Sequence, residues 1–143
     1  GCIIVRDNKI LMVKEAKKKC YWQWNFPAGH VEENELITDA AIREAFEETG
    51  CRVKLTGVLP ISTVYLKENE TAIIVKFTAD IIEENIKFDT KEILDVQWLD
   101  LEKVKNMTVE ELRGCDTALN DIKSFEEKKI YPLDIFDNTK YTR

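Results

Sequence analysis

Three glutamates, Glu44, Glu47 and Glu48, stand at i, i+3 and i+4 of a segment with helical periodicity. So spaced, their side chains share one turn of an α-helix, where three carboxylates repel one another and weaken the helix. A hard divalent cation such as Mg2+ gives such a cluster a purpose, because it prefers oxygen ligands and keeps part of its own water. Arg43 lies beside the acidic group, able to pair with and aim a carboxylate. Upstream, Pro27-Ala28-Gly29 makes a tight turn that exposes its backbone. Downstream, Gly50 stands where a left-handed helix cap is expected. A solvated acidic helix face is the bland alternative, and the usual fate of glutamates on helices. The glycines and the arginine flanking this cluster argue against it.

Over residues 24–51 the spacing is Gly-x5-Glu-x7-Arg-Glu-hydrophobic-x-Glu-Glu-x-Gly-hydrophobic, running from Gly29 through Glu35 and Arg43 to Cys51. This pattern resembles the signature of the Nudix hydrolases, and every fixed position is met. The resemblance implies an α/β fold, the Nudix α/β/α sandwich with a mixed β-sheet between helices, as one domain over residues 1–143. It implies a hydrolase of phosphoanhydride bonds in small nucleoside diphosphate derivatives, chiefly (d)NTPs and NDPs or similar pyrophosphates. The cofactor would be Mg2+, with Mn2+ as a substitute, and the attacking group a metal-activated water.

Residue by residue, the resemblance makes Glu44, Glu47 and Glu48 metal ligands, with the Ala28 carbonyl as a further one. Arg43 would hold Glu44 or its neighbour in place, and Glu35 would be a structural partner of Arg43. The general base comes either from the helix, as Glu44 or Glu47, or from a later loop. In that loop Glu92 is the candidate base and extra ligand, with Glu83, Glu84 and Asp89 as weaker rivals. An ordinary solvated carboxylate is the competing reading of Glu92. His30 follows the turn glycine and could touch a phosphate, although a lone histidine is more often a surface or hydrogen-bonded residue.

The run Trp-Asn-x-Pro-Ala-Gly-His-x-Glu, with Tyr-Pro-Leu at 131–133, is similar to a bacterial branch acting on nucleoside tri- and diphosphates and thiamine-type pyrophosphates. The alternative of another class is a non-catalytic Nudix-fold module that senses a nucleotide. Such modules typically lose motif glutamates, whereas this chain keeps them all. Isomerisation of a prenyl diphosphate would want a histidine-rich second metal site, and the chain has one histidine.

Composition narrows the partners. The net charge of −6, without a basic block, argues against a nucleic-acid polymer. A single small nucleotide or pyrophosphate remains compatible, since a bound metal can screen its charge. Four cysteines without a C-x-x-C pairing, and a single histidine, argue against zinc and for a reduced, cytoplasmic setting. No apolar run approaches the length of a membrane span, and no signal peptide is apparent. A monomer or homodimer is expected.

The positioning elements follow from periodicity. Residues 2–5 and 10–13 read as strands around a turn at Asp7-Asn8. Residues 15–20 read as a solvated, lysine-rich loop. Tyr21, Trp22 and Trp24 suit either a core or a base-stacking wall of a substrate pocket, and strand alternation sends Trp22 and Trp24 to one side. Asn34 stands where many family members carry glycine, and asparagine tolerates a left-handed backbone. The helix runs to about Thr49, with Thr38 or Asp39 serving its first turn and Ile42, Ala45, Phe46 and Thr49 facing the core. Two β-rich segments, 52–66 and 71–82, form a hairpin through the turn at 67–70, with a break at Pro60. A strand follows at 93–99. Asp100 reads as the cap of a short helix at 101–106, and Thr108 as the cap of the next. Ala118, Leu119, Ile122 and Phe125 have the spacing of a C-terminal helix packed on the sheet.

Overall fold

The turn at Asp7-Asn8 sets the first strand pairing. In the computed structural model, which describes residues 1–142, both residues have positive φ, 50° and 61°. Two successive left-handed residues give the tight hairpin whose twist matches its strands, and Asp and Asn tolerate that backbone. The turn joins β2 (Val5–Arg6) to β3 (Lys9–Glu15). Strand β9 (Ile93–Asp100) runs antiparallel along one side of β3. Strand β2 and, farther along β3, the short strand β4 (Trp24–Asn25) each pair directly with β3.

A second sheet is mixed. Strand β1 (Cys2–Ile3) pairs parallel with β8 (Phe77–Glu83), which pairs antiparallel with β5 (Arg52–Val58). Only Ile4 separates β1 from β2, so one stretch of chain serves both sheets. Past Pro60 the chain enters a separate hairpin, β6 (Ser62–Tyr65) with β7 (Thr71–Ile74).

Alternation along β3 places the helices. Leu11 and Val13 pack with Ala41 and Ala45 of helix α1 (Ile37–Thr49) and with Val53, Leu55, Phe77 and Ala79. Ile10 and Met12 point the other way, into a cluster with Phe26 and Leu99. Leu101 and Val104 of α2 (Leu101–Lys105) and Ala118 and Ile122 of α3 (Cys115–Glu126) close that cluster. Burying a side chain of this kind contributes about 1.5–3 kcal/mol. The product is the α/β/α sandwich expected from the sequence. Across the second cluster a buried ion pair, Lys76 Nζ to Asp121 Oδ2 at 2.8 Å, links the β7–β8 junction to α3.

Several local expectations are corrected. Residues 15–20 are solvated only in the middle: Lys17, Lys18 and Lys19 are exposed, whereas Glu15 ends β3 and is buried, as is Cys20. On α1 the core face is made by Thr38, Ala41, Ala45, Glu48 and Thr49, while Ile42 and Phe46 stay substantially exposed. Small alanines let the helix lie close to the sheet, and that geometry turns the bulkier residues outward. Leu36 occupies the N-cap of α1, and neither Thr38 nor Asp39 caps it. Thr108 begins a turn that its carbonyl closes with the amides of Glu111 and Leu112, and α3 starts only after Gly114. Asp100 sits at the N-cap of α2 without a side-chain hydrogen bond.

Candidate active site

Helix α1 ends as its glycine demands. Gly50 has φ 78° and returns its amide to the Phe46 carbonyl at 2.8 Å, fixing the last turn that carries Glu47 and Glu48. At the other end Asn34 has φ 59°, the left-handed conformation its residue type tolerates.

Arg43 organises the exposed side of the cluster. Its Nε and Nη2 donate to the two Glu35 oxygens at 2.7 and 3.0 Å, a bidentate fork. Its Nη1 donates to Glu44 Oε1 at 2.7 Å and Glu47 Oε2 at 3.1 Å, and Nη2 also reaches the His30 carbonyl at 3.0 Å. Hydrogen bonds from Arg43, then from the Glu32 amide, hold the Glu35 carboxyl at about 2, well below the carboxylate range. One guanidinium thereby aligns Glu35, Glu44 and Glu47 and ties them to the turn. His30 contributes its carbonyl, and its side chain is exposed.

Gly29 lies against Glu44. A β-carbon added there would stand 2.1 Å from the Glu44 carboxyl carbon, so any side chain displaces that carboxylate. Gly29→Ala is therefore expected to displace that carboxylate and, in the role proposed for Glu44 below, to lower kcat about 100-fold, the effect of a misplacement of about 1 Å. Steady-state kinetics with a circular-dichroism check of folding test this, and full activity would refute the packing argument.

Glu48 differs from its neighbours. It is 5% exposed on the sheet side of α1, and its Oε1 accepts the Ala28 amide at 2.7 Å. Burial pushes its carboxyl up to about 8, against the opposing pull of the Ala28 hydrogen bond, and the charges of Glu15 and Glu44 add to the rise. Ala28 thus meets the helix through its N–H.

Glu15 is the residue that sequence reasoning missed. It is 1% exposed, and its Oε1 accepts Asn25 Nδ2 and Arg113 Nη1, each at 3.0 Å. Its Oε2 has no partner. The available signal was the inward alternation of Leu11, Val13 and Glu15, which the following lysines concealed.

The remaining candidates take no part in the Arg43 network. Trp24 packs against the second core cluster, on the α3 side of the sheet. Trp22 is half exposed at φ 73°, and Lys14 Nζ lies 4.3 Å from its ring and 5.0 Å from that of Trp24. The two tryptophans therefore share a side, with a lysine between them. Glu92 is exposed and 3.7 Å from Lys17 Nζ, while its carbonyl accepts the Ala16 amide at 3.1 Å. Glu84 pairs with Arg6 at 2.9 Å and Trp98 Nε1 at 2.8 Å, Glu83 with Arg52 at 3.5 Å, and Asp89 caps the Lys91 amide at 2.9 Å.

Among the described residues, no three acidic, histidine or cysteine side chains form a ready cation cage. Glu44 and Glu47 are engaged by Arg43, and Glu48 by the Ala28 amide. The donor chemistry nevertheless fits a hard divalent cation. All donors are carboxylate oxygens, one carboxyl is pushed to about 8 by burial and like charge, and a buried oxygen stands unpartnered. A cation held by Glu48 would offset the penalty on its charge.

The NUDIX domain matches residues 1–115, and the chain belongs to the Nudix family. An 8-oxo-dGDP phosphatase of Danio rerio is 34% identical over 113 residues, covering 71% of this chain and 34% of that protein. The phosphatase NudJ of Escherichia coli is 44% identical over 51 residues, covering 35% of this chain and 32% of its own length. A solved NUDIX hydrolase from Nitrosomonas europaea superposes with TM-score 0.86 at 26% identity, covering 96% of this chain and 93% of that one. The chain spans about a third of the length of the curated relatives it matches first.

Proposed function

We propose that this domain is a Mg2+-dependent hydrolase of phosphoanhydride bonds in small nucleoside di- and triphosphates or similar pyrophosphates. The observation that carries it is the Arg43 fork, which aligns Glu35, Glu44 and Glu47 beside a buried Glu48. A carboxylate raised by burial and by like charges, next to a cluster aimed by one arginine, is the pattern in which functional sites concentrate.

When bound, the divalent ion would neutralise phosphate charge and lower the pKa of a water. Glu44, Glu47 and Glu48 would hold it, with the Ala28 carbonyl as a further ligand. Arg43 keeps Glu44 and Glu47 aimed, and the turn at Ala28-Gly29 fixes Glu48 and Glu44 from the other side. Glu44, Glu47 or Glu92 takes the proton of the attacking water. The exposed ring of Trp22 and the side chain of His30 are the proposed contacts to base and phosphate. Since one relative is an 8-oxo-dGDP phosphatase, oxidised purine nucleotides belong in the substrate test.

The experiment is phosphate and pyrophosphate release from (d)NTPs, NDPs, 8-oxo-dGDP, 8-oxo-dGTP and thiamine pyrophosphate, with Mg2+, with Mn2+ and with EDTA. Metal-dependent release from one of these groups is the expected result, and the product identifies the bond cut. No release from any of them, with nucleotide binding still measurable, would overturn the hydrolase reading in favour of a nucleotide sensor.

A further inference from the structure

Glu15 lies outside the Nudix motif and is buried beneath it. We propose that Glu15 is a positioning residue of the cation site: held at Oε1 by Arg113 and Asn25, it presents Oε2 on the α1 side of the sheet as an acceptor for cation-bound water beside Glu48. This rests on the hydrolase reading above.

Three observations converge on the assignment. Past a register shift after Lys14, Glu15 pairs with Ile93, which lies with Leu11 and Val13 in the cluster packed against α1, so Glu15 shares their side. Its backbone is fixed at that position, the amide donating to Gln23 and the carbonyl accepting from Trp22, at 2.9 and 3.0 Å. Its side chain is then fixed from two directions. Asn25 opens the segment that carries Ala28 to Glu48, so the hydrogen bond from Asn25 couples Glu15 to that turn. Arg113 comes from the loop between α2 and α3, where its own amide donates to the Trp24 carbonyl at 2.9 Å. Its guanidinium is about half exposed while the carboxylate it grips is not.

The free oxygen is what separates this from an ordinary ion pair. A buried carboxylate oxygen without a donor is costly, and buried polar atoms are almost always satisfied. Two donors already spend themselves on Oε1, so the arrangement leaves Oε2 available without freeing the side chain to move. Glu15 is also among the charges that act on Glu48, in keeping with their shared side of the sheet. Acceptors that orient the ligands and waters of a metal typically alter its affinity 10–100-fold when removed.

The test is Mn2+ binding followed by electron paramagnetic resonance of the free ion, on wild type, Glu15→Gln and Arg113→Met. Glu15→Gln keeps an oxygen for Arg113 and Asn25 but replaces the free acceptor by a donor. It is expected to weaken Mn2+ binding at least about tenfold, while its circular-dichroism spectrum in EDTA remains that of the folded wild type. Arg113→Met, which removes a half-exposed side chain, keeps the test open if the first variant fails to fold. It is expected to weaken binding in the same direction by a smaller factor. Wild-type Mn2+ affinity in the folded variants would overturn the proposal and leave the hydrolase reading standing. Absence of Mn2+ binding by wild type would overturn both.

Discussion

Glu48→Gln is expected to lower turnover at least about 100-fold, as loss of a catalytic metal ligand does, and to make the metal-free protein more stable at pH 8. The two effects share one cause. The carboxyl of Glu48 stands at about 8 in the folded chain and near its ordinary value of 4.5 in the unfolded one. Between those values the folded state binds a proton that the unfolded state has lost, so stability falls as pH rises through the window. Each pH unit across it removes about 1.4 kcal/mol. Glutamine keeps an oxygen for the Ala28 amide and carries no charge, so its stability should stay flat there. Urea unfolding in EDTA between pH 5 and pH 8 measures this directly. Wild type should lose stability on the order of 4 kcal/mol relative to the variant, and Mg2+ should restore it to wild type alone. Parallel pH profiles would show that Glu48 is not the strained carboxylate. Wild-type turnover by the variant at saturating Mg2+ would remove Glu48 from the ligand set. Glu47, which is about half exposed, should give the loss of turnover on Glu47→Gln without the gain in stability.

Much of this site was legible in the sequence because its constraints are local. The Gly50 cap, the left-handed Asn34 and the Asp7-Asn8 turn each depend on one or two residues whose backbone preference is strong. Arg43 and Glu47 meet because one helical turn brings i and i+4 together, whereas Glu35 lies before α1 and its pairing with Arg43 followed from the family resemblance; the structure makes both contacts. What escaped was set by tertiary packing. Glu15 is inward because β3 continues one residue pair beyond its apolar run, and a carboxylate followed by lysines looks the same as the start of a solvated loop. Its partner Arg113 is remote in sequence and is brought in by the 108–114 loop. Periodicity alone chose Ile42 and Phe46 for the core, whereas α1 lies on its alanines. Glu48 faces the sheet for the same reason, which is how a residue of the acidic cluster became buried.

Arg43→Lys is expected to lower kcat by about 100- to 1000-fold while the fold persists, although the positive charge is retained. The planar guanidinium makes four carboxylate hydrogen bonds and one to the His30 carbonyl from three nitrogens. An ammonium offers three donors from a single point and cannot reproduce the fork. Glu35 would lose the bidentate contact that holds it at about 2, and Glu44 and Glu47 would be free to repel each other on α1. In the roles proposed for them, misplacing Glu44 and Glu47 in this way should act on kcat more than on KM, because Trp22, the proposed contact to the substrate's base, takes no part in the fork. The effect on stability has a definite sign. A carboxyl with a depressed folded value stabilises the protein above its ordinary value, and that contribution disappears as pH falls through the folded one. The gap between wild type and variant should therefore be widest near pH 7 and close between about pH 4.5 and pH 2. Guanidinium unfolding at pH 7 and pH 3, alongside kcat at saturating Mg2+, measures both consequences. A lysine variant with wild-type kcat would show that the fork is a surface ornament of the helix and that the carboxylates are aligned by the backbone turn alone.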